Sequence, residues 1–147
     1  MTANPPPDPE RRARGMAKMQ EVYGFTVDPA QVGGGFVDLT VDHLFGDVWC
    51  RPGLDLAQRR LLTIGVLAAI GRGDLLEVQY SSALERGELD DAGVRESVVH
   101  LAHYVGWPHA TVANEAAERV IARRARQADA VGGDLDGRPD AAGEVER

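Results

Sequence analysis

At 147 residues the chain can bury one real core with little surplus for a second. A formal net charge of −7 argues against a nucleic-acid backbone as partner. The single cysteine, Cys50, excludes an intramolecular disulfide, a CxxC redox pair and a cysteine-rich zinc site, and fits a reducing compartment.

Residues 1–7 are proline-rich and predict a disordered start. The N-terminus carries no apolar segment of a secretory signal, so a cytoplasmic protein is expected. From Asp8 an amphipathic helix is predicted. Met16, Met19, Val22 and Tyr23 follow helical spacing, Arg11, Arg12, Arg14 and Lys18 face solvent, and Gly24 ends it. Asp28 and Pro29 read as an N-cap and first helical residue of a second helix running to about Val48. Gly33, Gly34 and Gly35 weaken its start, so it begins properly at Phe36, with Phe36, Leu39, His43, Leu44 and Val48 along one face. The three glycines lack the strand and lysine of a phosphate loop and read as a hinge.

Residues 45–73, FGDVWCRPGLDLAQRRLLTIGVLAAIGRG, are the densest stretch. A turn on Pro52 and Gly53 leads to Asp55, which caps a third helix from Leu56 to about Arg72. That helix is apolar on nearly every side, so it must be covered on every side, and six short helices hardly suffice. A homo-oligomer is therefore expected. Gly65, Ala68, Ala69, Gly71 and Gly73 allow a neighbouring helix to approach closely. The apolar run from Leu61 to Ile70 is too short to span a bilayer.

Asp74 starts a fourth helix that Gly87 stops after Arg86. Asp90 or Asp91 caps a fifth, which ends at Gly106. A sixth runs from about His109 to Arg126, with Val112, Ala116 and Val120 as its apolar stripe. Residues 128–147 hold six acids against two arginines, a net of −4, and residues 127–147 are expected to form a disordered acidic tail beyond a single domain at 8–126. No segment shows the two-residue alternation of a strand, so the fold class is all-α with about six helices.

Four motifs occur in combination: G-D-V-W-x-R-P-G-L from Gly46 to Leu54, R-x-L-L-T from Arg59 to Thr63, Ile70-Gly71-Arg72, and H-x-x-x-Y-x-G-x-P from His100 to Pro108. Together, over roughly residues 36–125, they resemble the carboxymuconolactone decarboxylase family, in its γ-carboxymuconolactone decarboxylase branch. The resemblance implies an all-helical, AhpD-like fold, a homo-oligomer (trimer or hexamer), and a cytoplasmic enzyme of aromatic-acid catabolism in the protocatechuate branch. The implied reaction removes carbon dioxide from a carboxylated lactone without metal or organic cofactor, and no membrane or nucleic-acid partner is implied. Thiol-peroxidase relatives place a CxxC where this chain has Arg72 and Leu75, so thiol chemistry is absent. The decarboxylase branch usually has a histidine and an arginine where this chain has Gln79 and Ser81, a glutamate at Asp42 and a serine at Cys50. These departures leave room for a different small-acid or lactone enzyme on the same scaffold, or a catalytically silent ligand-binding protein.

Loss of the carboxylate from such a lactone sends electrons into its carbonyl and leaves a dienolate. A cation must hold the spectator carboxylate, a donor must stabilise the oxyanion, and an acid must deliver a proton to carbon. With the family match behind them, Arg59 and His100 are the candidate catalytic residues. Arg59 would bind the anion, or else form a buried salt bridge to Asp42, Asp47 or Glu96. His100 would be the acid, or else a hydrogen-bonded core histidine. Arg51, Arg72, Trp49, Gln79 and Tyr104 are the candidate substrate-binding residues. For Arg72 the alternative is a cation on a helix C-terminus. For Arg51 it is a surface position, and for Trp49 it is anchoring a turn at a subunit interface. His103 lies one turn from His100, but no second ligand pair frames a metal site.

Overall fold

The computed structural model describes residues 8–28 and 34–135, with side chains up to residue 130. The predicted disorder at 1–7, the Pro29 cap and the tail from residue 136 lie outside the described residues. Helices are α1 (Pro9–Tyr23), α2 (Gly35–Asp38) continuing directly into a π-helix (Leu39–Val48), α3 (Leu56–Ala69), α4 (Gly73–Glu85), α5 (Asp91–Val105) and α6 (Trp107–Leu135). Among the described residues there is no strand, so the all-α expectation holds. No helix among them is long and apolar enough to cross a membrane.

Asp55 and Asp90 cap their helices as expected, Asp8 caps the helix expected to start there, and α4 starts at Gly73 without a side-chain cap. Asp8 accepts from the amides of Glu10 and Arg11 with Pro9 at the first position, Asp55 and Gln58 form a reciprocal capping box, and Asp90 accepts from Gly93 N at 2.7 Å. Gly24 closes α1 at φ 78°. α6 departs from expectation: it starts at Trp107 and runs past Arg126 to Leu135. Residues 122–130 of it are mostly alanines and charged side chains and are exposed, so intrinsic propensity more than packing sustains those turns.

Two hydrophobic clusters divide the work. The larger joins α3 through α6 around Ile64, Leu76, Tyr80, Val94, Ala113, Ala117 and Val120. Burying a side chain such as Leu76 contributes roughly 2 kcal/mol. The smaller places Met19 and Val22 of α1 against Val41 and Phe45 of the π-helix. α1 can lie this close because residue 15 is glycine, where any Cβ would run into the Val41 carbonyl.

The π-helix corrects the predicted face of the second helix. Phe36 is 84% exposed and Leu39 61%, while Val41 and Phe45 are buried. Hydrogen bonds to the fifth residue widen the winding and move the buried line onto Val37, Val41, Phe45 and Trp49, four apart. The arginines of α1 are likewise not simply solvated. Arg11 pairs with Asp47 and donates to the Asp42 carbonyl, Arg12 pairs with Asp38 at 2.8 Å, and Arg14 donates to the Gly46 carbonyl at 2.9 Å.

α3 is covered on one side only. Arg60, Ile64, Leu67 and Ala68 are buried, whereas Leu62, Val66 and Ile70 are 60–62% exposed in a stripe four residues apart. At the start of α4, Gly73 faces Val112 of α6 so closely that a Cβ would come within 2.9 Å of it.

Candidate active site

The first turns of α3 hold adjacent arginines with opposite fates. Arg60 points inward, is 1% exposed, and is nearly saturated. Its Nε donates to Glu88 at 2.5 Å, and its Nη1 donates to the Val22 carbonyl at 2.7 Å and to Gln79 Oε1 at 2.8 Å. Glu88 in turn accepts from Arg86 at 2.9 Å. This network joins α1, α3, α4 and the α4–α5 turn, and a buried guanidinium demands such partners. Gln79 is thus fully engaged with Arg60 inside the protein, and the side chain expected to touch substrate holds a charge in place instead.

Arg59 points to the outer side of the same turn. Its one hydrogen bond runs from Nη2 to the Arg51 carbonyl at 2.7 Å, and none of Asp42, Asp47 or Glu96 pairs with it. Its Nε is sealed from water and has no acceptor. Arg51 itself is exposed. Among the described arginines only Arg51, Arg59 and Arg126 have no carboxylate partner; Arg126 lies far along α6. At this corner Arg59 reaches the Arg51 backbone, and among the described residues no acid pairs with either guanidinium.

The other candidates sit apart from that corner. Arg72 does not end α3; it precedes α4 and forms a two-pronged pair with Asp74 at 2.8 and 2.6 Å, holding the Asp74 carboxyl down at about 2. Trp49 stacks on Phe45 at 6.0 Å between ring centres and is partly buried, an anchor for the turn that presents Arg51. Cys50 donates its thiol to the Phe45 carbonyl at 3.3 Å.

His100 is exposed on α5, so the core-histidine alternative fails, and its ring lies 5.0 Å from that of Tyr104, which is 77% exposed. No hydrogen bond or ring contact among the described residues joins this pair to Arg51 and Arg59.

Between α5 and α6 runs a groove of about 370 Å³ floored by Val98, Val99, Ala102 and Ala110, and neither His100 nor Tyr104 lines it. His103 and Trp107 close one end, edge to face at 6.2 Å. His103 Nδ1 donates to the Val99 carbonyl at 2.9 Å, which leaves Nε2 as the free basic nitrogen. Of the groove's polar members His103, Thr111 and Asn114, sequence alone singled out only His103, and only against a metal site; Thr111 and Asn114 carry no local signal. Among the described residues no three metal-ligating side chains converge.

Comparison with known proteins fits this architecture. Over 77 residues the chain is 38% identical to the 4-carboxymuconolactone decarboxylase of Acinetobacter baylyi, covering 52% of this chain and 57% of that protein. Over 73 residues it is 40% identical to the nitrosuccinic acid decarboxylase of Metarhizium robertsii, covering 48% of this chain and 49% of that one. The matches thus span about half the length of these curated relatives. The model of the carboxymuconolactone decarboxylase family matches residues 35–119, from α2 through the four motifs into α6, and the chain belongs to that family.

Proposed function

We propose that this protein is a cofactor-independent decarboxylase of a small polycarboxylic acid, with one substrate carboxylate held at Arg59 and Arg51. The observation that carries this reading is the sealed Nε of Arg59, which has no acceptor, while Nη2 of the same guanidinium reaches the backbone of the exposed Arg51. Two relatives that are decarboxylases by name support the reaction type. Their printed substrates share a chemistry: each is a polycarboxylic acid carrying a lactone or nitro group able to take up the electron pair left when carbon dioxide departs. The protein then has to hold the remaining carboxylate, stabilise the resulting anion and return a proton to carbon. Arg59 and Arg51 serve the first two tasks. His100, backed by Tyr104, serves the third.

The working form in this reading is a homo-oligomer, trimer or hexamer. Leu62, Val66 and Ile70 leave an exposed apolar stripe along α3, and a second copy covers it. The reading extends to γ-carboxymuconolactone as substrate and to cytoplasmic aromatic-acid catabolism. A second reading, another small-acid enzyme on the same scaffold, is favoured by Gln79, whose oxygen is committed to Arg60 where the branch usually carries a histidine.

The test mixes purified protein with γ-carboxymuconolactone and, separately, nitrosuccinate, and follows carbon dioxide release. Arg59→Gln is expected to lower kcat/KM by about a hundredfold or more, on the scale of a lost charge-assisted contact to substrate. Turnover untouched by that substitution removes Arg59 from the site. No turnover of either acid favours the second reading.

A further inference from the structure

The one hydrogen bond that Arg59 makes is to the wrong kind of partner. A guanidinium has five N–H donors in a rigid fork suited to a carboxylate. Arg59 instead spends Nη2 on a single peptide oxygen, Arg51 O at 2.7 Å, and leaves Nε dry and unpaired. An orphaned N–H of a charged group is costly, and a neutral carbonyl offsets little of that cost. The carbonyl belongs to the turn at residues 50–54, whose own fastening is light. The Cys50 amide reaches Asp47 O at 3.2 Å, the Arg51 amide reaches Val48 O at 3.3 Å, and Pro52 has no amide to offer. Residues 51–54 are exposed, and Gly53 faces open space. Trp49 and the Cys50 thiol anchor the start of the turn on Phe45, but for residues 51–54 the described residues supply only the Arg51 amide bond and the contact between Arg59 and Arg51 O.

Building on the Arg59 anion site proposed above, we infer that the Arg51 carbonyl is a placeholder for a carboxylate oxygen, so that anion capture at Arg59 releases the 50–54 turn. A carboxylate brings two charged acceptors, replaces the neutral carbonyl and supplies the partner that Nε lacks. The guanidinium exchanges Arg51 O for the ligand, and the turn loses its tie to α3. Arg51, whose side chain has no acid partner, rides on that turn and becomes free to swing onto the bound anion. Occupancy of the site and opening of the turn are then two faces of one equilibrium.

The experiment uses the full chain with malonate as the probe dicarboxylate. Binding is read by calorimetry and the turn by hydrogen–deuterium exchange. Malonate is expected to bind, and the amides of Cys50 and Arg51 to exchange at least about threefold faster when it is bound. Arg59→Lys and Arg59→Gln are each expected to weaken malonate by about tenfold or more and to abolish the change in exchange. Circular dichroism of both variants checks that they remain folded, and the milder Arg59→Lys keeps the test alive if Arg59→Gln is not. Arg59-dependent binding with exchange at 50–51 unchanged or slowed overturns the release and leaves the anion site standing. Binding that ignores Arg59, or no binding to a folded protein, overturns the anion site and the release together.

Discussion

Arg59 and Arg60 are neighbours in sequence, and a helix turns adjacent residues about 100° apart, so one faces the core and the other the rim. Composition shows that two cations start α3; it does not show which is answered. Glu88, 28 positions later, answers Arg60, together with Gln79 and the Val22 carbonyl. The same folding leaves Gln79 as an internal acceptor. Gln79→Leu is expected to destabilise the protein by about 1–3 kcal/mol by stranding a buried Arg60 N–H, as read by urea denaturation. Gln79→Glu, which keeps an acceptor, is expected to be milder. Equal losses in the two variants, or none in the first, contradict the role given to Gln79.

At the level of elements, the caps were legible because they are local. Asp8, Asp55 and Asp90 each act on amides within three residues, so a short reading of the chain finds them. The π-helix was not legible, since nothing in Leu39–Val48 announces an i→i+5 winding. Tertiary packing against α1 selects it, by burying Val41 and Phe45 while Leu39 and Leu44 stay out. Gly15 is the hinge of that packing. Gly15→Ala raises helix propensity, which alone would stabilise α1, yet the added methyl meets the Val41 carbonyl. We expect the clash to dominate, costing on the order of 1–3 kcal/mol and lowering Tm in a thermal melt. An unchanged or higher Tm would mean that α1 adjusts freely against the π-helix.

For the whole molecule, the unfinished surface of α3 is the main consequence. Leu62, Val66 and Ile70 present a stripe of more than half-exposed apolar side chains that a single copy leaves in water. Val66→Asp is expected to split the assembly into monomers in light scattering at micromolar concentration while helical circular dichroism persists, because a carboxylate cannot be buried there unpaired. An oligomer of unchanged mass places the subunit contact elsewhere; a monomeric parent protein removes the assembly altogether.

What the chain determined by itself is what short-range chemistry controls: helical periodicity, the capping aspartates, the proline–glycine turn before α3, and motifs specific enough to point to the family. Arg59, Arg51, His100 and Tyr104 were legible as candidate residue types, but their pairing, Arg59 on the Arg51 carbonyl and His100 beside Tyr104, was not. What only the tertiary structure decided is which charges are spent and which are free. Gln79 went to Arg60 and, among the described residues, Arg59 to no acid at all, whereas the Arg72–Asp74 pair is local. The reason is physical: a side chain's availability is set by partners brought close in space, and those that matter here come from helices 19 to 38 residues away, beyond the reach of any local pattern.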